Sequence, residues 1–392
     1  MYYIFPLPVL PFLVLFTSPA FGWTALKYQN FFPHHIHVPQ NISRINCSAT
    51  LQDYVQSAAL NGLRNKWTIN ACYNHESCIF DHADEAQKNN WASAQVLLGL
   101  VPTLLANLGP KPAEIALLSF RRPILSFLLC MGTGTIYPVR VSQYDDPNLL
   151  LLGEDLKFSH IGLQPPIRAL AISAGQYLFA LGAVVNTLTL LVEIGTNAVV
   201  SFDCTSYFFP LIWWLIAVLI HIMAAVPFNM VQRGWLENKD VSGANTVGSM
   251  RASERALSDQ KGKTTWTKQS VAWVRQLVRV WGRGVQYIIH ATRSEITICA
   301  NQLPPGKLSP PVSVVFLNYC CGALGYFHII FGTMIFSSLL FIMHIDAILS
   351  ISRLVVSAAL CRLILVMEFG GMKSSQERRS SDQLFTQEPA SK

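Results

Sequence analysis

The segment ALAISAGQYLFALGAVVNTLTLLV, residues 169–192, contains no Asp, Glu, Lys or Arg. Two further segments, residues 204–232 and 308–345, are equally free of these charges. About 20 apolar residues at about 1.5 Å rise per residue cross a hydrocarbon core of about 30 Å, so each segment is long enough to span a bilayer. The pattern predicts an all-α transmembrane fold, a helical bundle of about five spans.

The composition of the 392 residues indicates the same class, because 51% are hydrophobic and only 13% are charged. Soluble globular chains carry about 25% charged residues. The net charge is +7, but the basic residues lie between apolar segments, and no zinc-finger spacing or helix-turn-helix context accompanies them. We therefore expect anionic lipid headgroups, and not nucleic acid, as the counter-charge.

The first 25 residues carry no charge, and their apolar core is followed by small residues up to Gly22. This pattern predicts a secretory signal peptide over residues 1–22. The start lacks basic residues, and prolines at positions 6, 8 and 11 disfavour a helix. An uncleaved membrane anchor is therefore the alternative.

Residues 23–90 are predicted to form a small ectodomain in the lumen of the secretory pathway or outside the cell. The chain has two N-x-S/T sequons, at Asn41 and Asn46, and both lie in this segment. Asn in such a sequon accepts a glycan only on the exported side of a membrane. Both asparagines are predicted glycosylation sites.

The ectodomain also contains Cys47, Cys72 and Cys78. An oxidising compartment favours a disulfide, and we predict the bond between Cys72 and Cys78, which leaves Cys47 to pair between chains. The alternatives are unpaired thiols or a metal site with neighbouring histidines, although no spacing here matches a zinc module. These histidines are His34, His35, His37, His75 and His82.

The first membrane domain is predicted over residues 91–228, with spans near 91–109, 169–192 and 207–228. Residues 123–138 are also apolar, but about 16 residues are short for a crossing. We expect this segment to lie in the interface or to re-enter without crossing.

Residues 229–309 form a predicted cytosolic loop, because twelve Lys or Arg stand against five Asp or Glu there and basic flanks are preferentially cytosolic. A lumenal ectodomain then requires an odd number of crossings before the loop. Three spans meet that condition and four do not. The C-terminal residues 370–392 are predicted to be a disordered cytosolic tail.

A second membrane domain is predicted over residues 310–369, with a span near 312–343 and a candidate span over 347–369. The first segment is too long for one straight crossing, so it must tilt, kink or start in the interface. The second contains Arg353 and Arg362, which either face a bundle interior or make this a helix lying flat on the membrane.

An amphipathic basic helix is predicted over residues 266–290 of the loop. At about 100° per residue its apolar residues share one arc, and four basic residues share a neighbouring arc. This pattern favours a helix on the inner membrane surface; packing on the protein's own bundle and binding to a cytosolic protein partner are the alternatives. The predicted lipid-surface residues are Lys268, Arg275, Arg279 and Arg283.

Four polar residues fall deep within predicted spans and form a candidate intramembrane polar site. Polar side chains in spans are costly and often functional. The simpler interpretation is hydrogen bonding between neighbouring helices. The four residues are Gln176, Asn186, His221 and His328.

The sequence contains no G-x-S-x-G elbow, no P-loop, no H-E-x-x-H and no Gly-rich dinucleotide turn. We therefore predict no catalytic residues, no cofactor and no metal. The favoured interpretation is a multi-pass receptor-like or scaffold protein of the endoplasmic reticulum or plasma membrane. A transporter or channel using the polar span residues is the alternative.

Several short stretches resemble an uncharacterised group of multi-pass membrane proteins of filamentous fungi. They are WASAQ at 91–95, GLVP at 99–102, Glu114 with RRP at 121–123, FHIIFGT at 327–333, SSLLF at 337–341, and Asp346, Arg353 and SAA at 357–359. The resemblance covers the membrane portion better than the ectodomain or the loop. It implies a multi-pass membrane protein and brings no known activity.

Overall fold

The computed structural model describes residues 26–34, 36–138, 164–226, 228–229, 293–302 and 312–386. Within these ranges the chain is almost entirely helical, with two short strands of two residues each. Five helices there are long and apolar enough to cross a membrane. The predicted fold class, an all-α transmembrane bundle of about five spans, is confirmed.

Three helices precede the first span. They are α1 (His37–Asn41), which continues into a π-helix over Ile42–Asn46, then α2 (Ser48–Asn61) and α3 (Lys66–His82). The side chain of Asn65 accepts a hydrogen bond from the backbone N of Trp67 at 3.0 Å and so caps α3. Asp84 caps the following helix α4 (Glu85–Gly99) in the same way, through the backbone N of Gln87 at 2.7 Å.

The first candidate span, Glu85–Leu108, consists of α4 and α5 (Val101–Leu108). Two shorter helices follow, α6 (Pro112–Arg121) and α7 (Pro123–Thr133), and each begins with a proline, whose fixed φ suits the first helical position. With 11 residues, α7 is about 17 Å long, roughly half of a hydrocarbon core. It is too short to cross a membrane.

The remaining spans are long helices. They are α8 (Pro166–Asn197), α9 (Phe209–Val226), α10 (Val312–Ser337) and α11 (His344–Thr386), the last of which is a candidate span over His344–Ser381. Strand β1 (Val199–Val200) follows α8, and strand β2 (Leu339–Leu340) follows α10. Each of the five segments predicted to span overlaps one of these candidate spans.

Two predicted boundaries are corrected. The apolar segment 312–343 is not one long span, because α10 ends at Ser337 and the chain turns through β2 and Phe341, which has a positive φ of 64°. The tail prediction for residues 370–392 is wrong as far as Thr386, since α11 continues to that residue. Met372 and Ser375 are buried, so packing of one face extends the helix beyond its apolar core.

The chain divides into two compact units. Unit 1 consists of Met1–Leu100, Leu190–Leu211 and Met334–Ser350, and unit 2 consists of Val101–Thr189, Ile212–Thr333 and Ile351–Lys392. In unit 1, β1 pairs antiparallel with β2, Val199 opposite Leu340.

Each unit has its own core. Aromatic rings dominate the core of unit 1, where Trp91 and Phe341 meet edge to face with centroids 5.1 Å apart. Unit 2 has an aliphatic core contributed by α6, α7, α8 and α11. Its buried members include Leu117, Leu118, Leu125, Leu129, Ile364 and Leu365.

Candidate functional site

Two disulfides stabilise unit 1, and their pairing differs from the prediction. Cys47 is bonded to Cys78, and Cys72 is bonded to Cys204, each with a Cα–Cα distance of 6.0 Å. The predicted Cys72–Cys78 bond is wrong because both residues lie on α3. Six residues apart, they are about 9 Å apart along the axis and point in different directions, which is outside the reach of a disulfide.

His75 lies at the centre of unit 1 and is fully buried. Its Nε2 is 2.8 Å from Ser43 Oγ, its Nδ1 is 2.8 Å from Thr50 Oγ1, and the Tyr28 ring meets it edge to face at 4.5 Å. Burial lowers the pKa of His75 to about 4. A serine hydroxyl on an imidazole is also the contact of a nucleophile and its base, but Ser43 is fully buried too. The arrangement therefore supports the fold.

Lys27 is a basic residue whose side chain is buried in unit 1. Its Nζ donates hydrogen bonds to the backbone oxygens of Gly195 and of Ala198, the latter at 2.7 Å. These carbonyls lie at the C-terminal end of α8, where a positive charge interacts favourably with the helix dipole. Burial nevertheless lowers the pKa of Lys27 to about 7, and Asp203 offsets only part of this effect.

Among the described residues, one group of three side chains is close enough to hold a metal ion: Cys47, Cys78 and His82. His82 Nδ1 is 3.8 Å from each sulfur. The two sulfurs are joined to each other, so neither is a thiolate, the form that binds a metal. His34 is paired instead with Asp346, through Nδ1 and Oδ1 at 2.7 Å.

The two predicted glycosylation sites, Asn41 and Asn46, are both exposed. Asn41 precedes the π-helix Ile42–Asn46 and Asn46 is its last residue, and both lie on the surface of unit 1. A glycan on either side chain would not disturb the core. Glycosylation itself stays a prediction.

A buried ion pair occupies the interior of unit 2. Arg122, which is 0% exposed, donates to Glu368 Oε1 at 3.0 Å, to Gln176 Oε1 at 2.5 Å and to Ser173 Oγ at 2.7 Å. Gln176 Nε2 also donates to Glu368 Oε1 at 2.6 Å, and the backbone N of Cys299 donates to Oε2 at 3.0 Å. The carboxylate is thus satisfied on both oxygens, as a buried charge requires.

A second network in unit 2 pairs α8 with α11. Asn186 Nδ2 donates to the backbone oxygen of Arg353 at 3.0 Å and to Ser357 Oγ at 2.8 Å, while Arg353 Nε donates to Asn186 Oδ1 at 3.1 Å. Arg362 forms an ion pair with Glu114. Both arginines of the predicted span 347–369 therefore meet polar partners, as expected of charges that face a bundle interior.

The third polar group of unit 2 is the histidine cluster, defined as Thr135, His221 and His328. All three are fully buried. His221 Nε2 is 3.2 Å from the backbone oxygen of Thr135, and His328 lies within electrostatic range of His221. Four buried atoms of the cluster have no hydrogen-bond partner in the part of the chain that the structure describes, namely Thr135 Oγ1, His221 Nδ1, and both ring nitrogens of His328.

Trp213 holds His328 in place. The two rings are stacked with centroids 4.9 Å apart, and the indole N donates to the backbone oxygen of His328 at 3.1 Å. Gly332 makes this possible, since a Cβ there would lie 2.2 Å from the indole nitrogen. The small residue lets α10 approach Trp213 closely.

The structure divides the predicted intramembrane polar site. It brings His221 and His328 together, but Gln176 belongs to the Arg122 network and Asn186 to the Arg353 network. Arg122, Glu368 and Trp213 were not predicted as site residues from the sequence. Glu368, the one carboxylate within residues 347–369, was the available signal for a buried partner. The predicted lipid-surface residues Lys268, Arg275, Arg279 and Arg283, the signal peptide and His35 lie outside the described residues.

No family model, curated protein or solved structure matches this chain.

Proposed function

We propose that this chain is a receptor-like or scaffold membrane protein of the secretory pathway or cell surface, without enzymatic activity, whose unit 1 presents its polar segments on the exoplasmic (lumenal or extracellular) side. The observation that carries the proposal is the Cys72–Cys204 disulfide. Such bonds persist in oxidising compartments. A signal peptide at residues 1–22 and glycans at Asn41 and Asn46 belong to the same proposal.

Parity supports this topology. Cys72 precedes the first span and Cys204 follows the second, so a bond between them requires an even number of crossings in between. The pairing of β1 with β2 repeats the argument across the third and fourth spans. If Cys72 is exoplasmic, the basic loop 229–309 and the end of α11 are cytosolic, in agreement with the positive-inside tendency.

The choice of a scaffold or receptor over a transporter rests on the way the polar groups are used. Gln176 and Asn186 are committed to separate networks, each with close partners. Unit 1 is built from three separate chain segments held by a disulfide and a strand pair. A covalently fixed exoplasmic surface suits recognition.

The topology is tested with glycosidase and protease in sealed microsomes. We expect a mass loss on deglycosylation that disappears in the Asn41→Gln/Asn46→Gln variant. An epitope inserted between residues 245 and 258 should be digested by protease added outside the microsomes. Protection of this epitope would contradict the proposal.

A transporter is the second candidate, because the histidine cluster buries four polar atoms that have no hydrogen-bond partner among the described residues. The test is proton flux into proteoliposomes that contain a pH-sensitive dye, driven by the membrane potential that valinomycin and a potassium gradient establish. If the protein is a scaffold, proteoliposomes with the wild type and with the His221→Ala/His328→Ala variant should both show the same flux as protein-free vesicles. Flux above that level that the variant loses would establish the transporter.

A further inference from the structure

The turn between α2 and α3, residues 62–65, is held in place by a glycine conformation and side-chain hydrogen bonds. Gly62 adopts a φ of +78°, a conformation that other residues rarely adopt. Thr68 Oγ1 donates to the backbone oxygens of Gly62 at 2.9 Å and Ser57 at 3.0 Å, and Asn65 caps α3. The ends of both helices are therefore fixed relative to each other.

This turn presents the two most exposed large apolar side chains among the described residues of unit 1. Leu60 is 82% exposed and Trp67 is 72% exposed. Arg64 and Lys66 lie between them in sequence and are also exposed. Large apolar side chains beside basic ones are typical of protein surfaces that contact the headgroup region of a membrane.

A direct contact joins the turn to the start of a membrane span. The guanidinium of Arg64 lies over the ring of Phe208, 5.7 Å from its centroid. Phe208 is in turn 5.1 Å from Phe209, the first residue of the candidate span Phe209–Val226, and Phe202 packs against Phe209 at the same distance. Aromatic residues at the end of a span lie at the membrane–water boundary.

We propose that the α2–α3 turn inserts Leu60 and Trp67 into the headgroup and upper acyl region of the bilayer, with Arg64 and Lys66 close to lipid phosphates. The occupant of this surface is lipid, because Arg64 connects the surface to the aromatic residues at which α9 enters the membrane. Through this turn, unit 1 contacts the membrane surface instead of being surrounded by water. The proposal depends on the spans and not on which side of the membrane unit 1 faces.

The test uses the full chain in nanodiscs containing zwitterionic and anionic phospholipid. Leu60→Cys and Gln52→Cys variants are labelled with an environment-sensitive nitrobenzoxadiazole dye, and the labelled wild type, with its native cysteines, is subtracted. Gln52 is an exposed residue of the same helix, eight positions and about 12 Å before Leu60. It is the matched control.

We expect a nitroxide near the lipid headgroup to quench the dye at position 60 at least twofold more than the dye at position 52, and aqueous iodide to show the reverse order. Equal quenching at both positions by both reagents would overturn the proposal.

A second measurement avoids the label. Brominated lipid quenches lipid-accessible tryptophan, so the quenched fraction should be smaller in Trp67→Phe than in the wild type. An unchanged fraction would overturn the proposal and leave the turn open to water or to a protein partner. The topology and flux experiments above remain informative in either case.

Discussion

Lys27 in unit 1 and Arg122 in unit 2 are both buried basic side chains, but the two units accommodate them differently. Arg122 meets the carboxylate of Glu368, and its terminal nitrogens also donate to side-chain oxygens of Gln176 and Ser173. Lys27 meets two neutral backbone carbonyls, and its pKa is lowered to about 7. Arg122 has a direct counter-charge, whereas Asp203 compensates the buried Lys27 amine only in part, so that this amine can lose its proton near neutral pH.

The largest effect is expected from breaking the ion pair in unit 2. Arg122→Met leaves the Glu368 carboxylate buried without its cation, which should lower the free energy of unfolding by about 3–5 kcal/mol. The double variant Arg122→Met/Glu368→Met should recover most of this loss, because no uncompensated charge remains. Denaturant titration in a detergent or nanodisc checks both variants.

Arg379→Met is the matched control for Arg122, since Arg379 is exposed. A change within about 0.5 kcal/mol is expected there. A single Arg122→Met variant as stable as the wild type would mean that the ion pair does not hold unit 2 together.

In unit 1 the two disulfides are expected to stabilise the fold, as the Arg122–Glu368 ion pair does in unit 2. Removing a native disulfide costs about 2–5 kcal/mol, more for longer loops, because the unfolded chain gains more freedom. Cys72–Cys204 encloses 132 residues of separation and Cys47–Cys78 encloses 31. Cys72→Ser/Cys204→Ser should therefore lower the thermal unfolding temperature more than Cys47→Ser/Cys78→Ser does. The opposite order would contradict the inference that the disulfide with the longer loop contributes more to the stability of unit 1.

The pH dependence of Lys27 sharpens the comparison further. Its pKa is lower in the folded protein, at about 7, than in the unfolded chain, at about 10.5. The unfolded chain therefore binds more protons in this window, and the contribution of Lys27 to the free energy of unfolding should rise with pH, by about 3.5 kcal/mol between pH 7 and 10. Lys27→Met should remove this rise, and the Arg122 variants should retain it. An identical pH profile for Lys27→Met and the wild type would contradict the burial of a titrating amine.

A smaller effect concerns packing within unit 2. Gly332→Ala places a methyl group 2.2 Å from the Trp213 indole nitrogen, and overpacking of this kind costs about 1–3 kcal/mol. Gly182→Ala is the matched control, because a Cβ at Gly182 meets no atom within 4 Å. Thermal unfolding and near-ultraviolet dichroism of the tryptophans should change only for Gly332→Ala; equal stability of both variants would show that α10 moves away without loss.

The spans could be predicted because a run without charges is a local property of the sequence. The partners of buried polar groups could not, because they are distant in sequence. Arg122 and Glu368 are 246 residues apart and Cys72 and Cys204 are 132 apart, and no local pattern connects either pair. The Cys72–Cys78 prediction failed for a related reason. Closeness in sequence was taken as closeness in space, whereas residues six apart on a helix point in different directions.

The candidate intramembrane site was predicted in part. The sequence identified His221 and His328 as deep polar residues, and the structure places both in one cluster. Their separation from Gln176 and Asn186 depends on how α8 packs against α11, which side-chain patterns alone do not determine. The interruption of segment 312–343 at Ser337 likewise depends on the pairing of β2 with β1.

The strand pair has a consequence for biosynthesis. Residues 36–84 leave the ribosome early, yet their unit is complete only when Leu339 and Leu340 arrive to pair with Val199 and Val200. At about 5–20 residues per second, the roughly 250 residues in between take about 13–50 s to translate. During the first part of this interval Cys72 lacks its partner Cys204, and throughout it Phe80 lacks its neighbour Phe341. Unit 1 therefore cannot complete its core until the fourth span, α10, and strand β2 have been made.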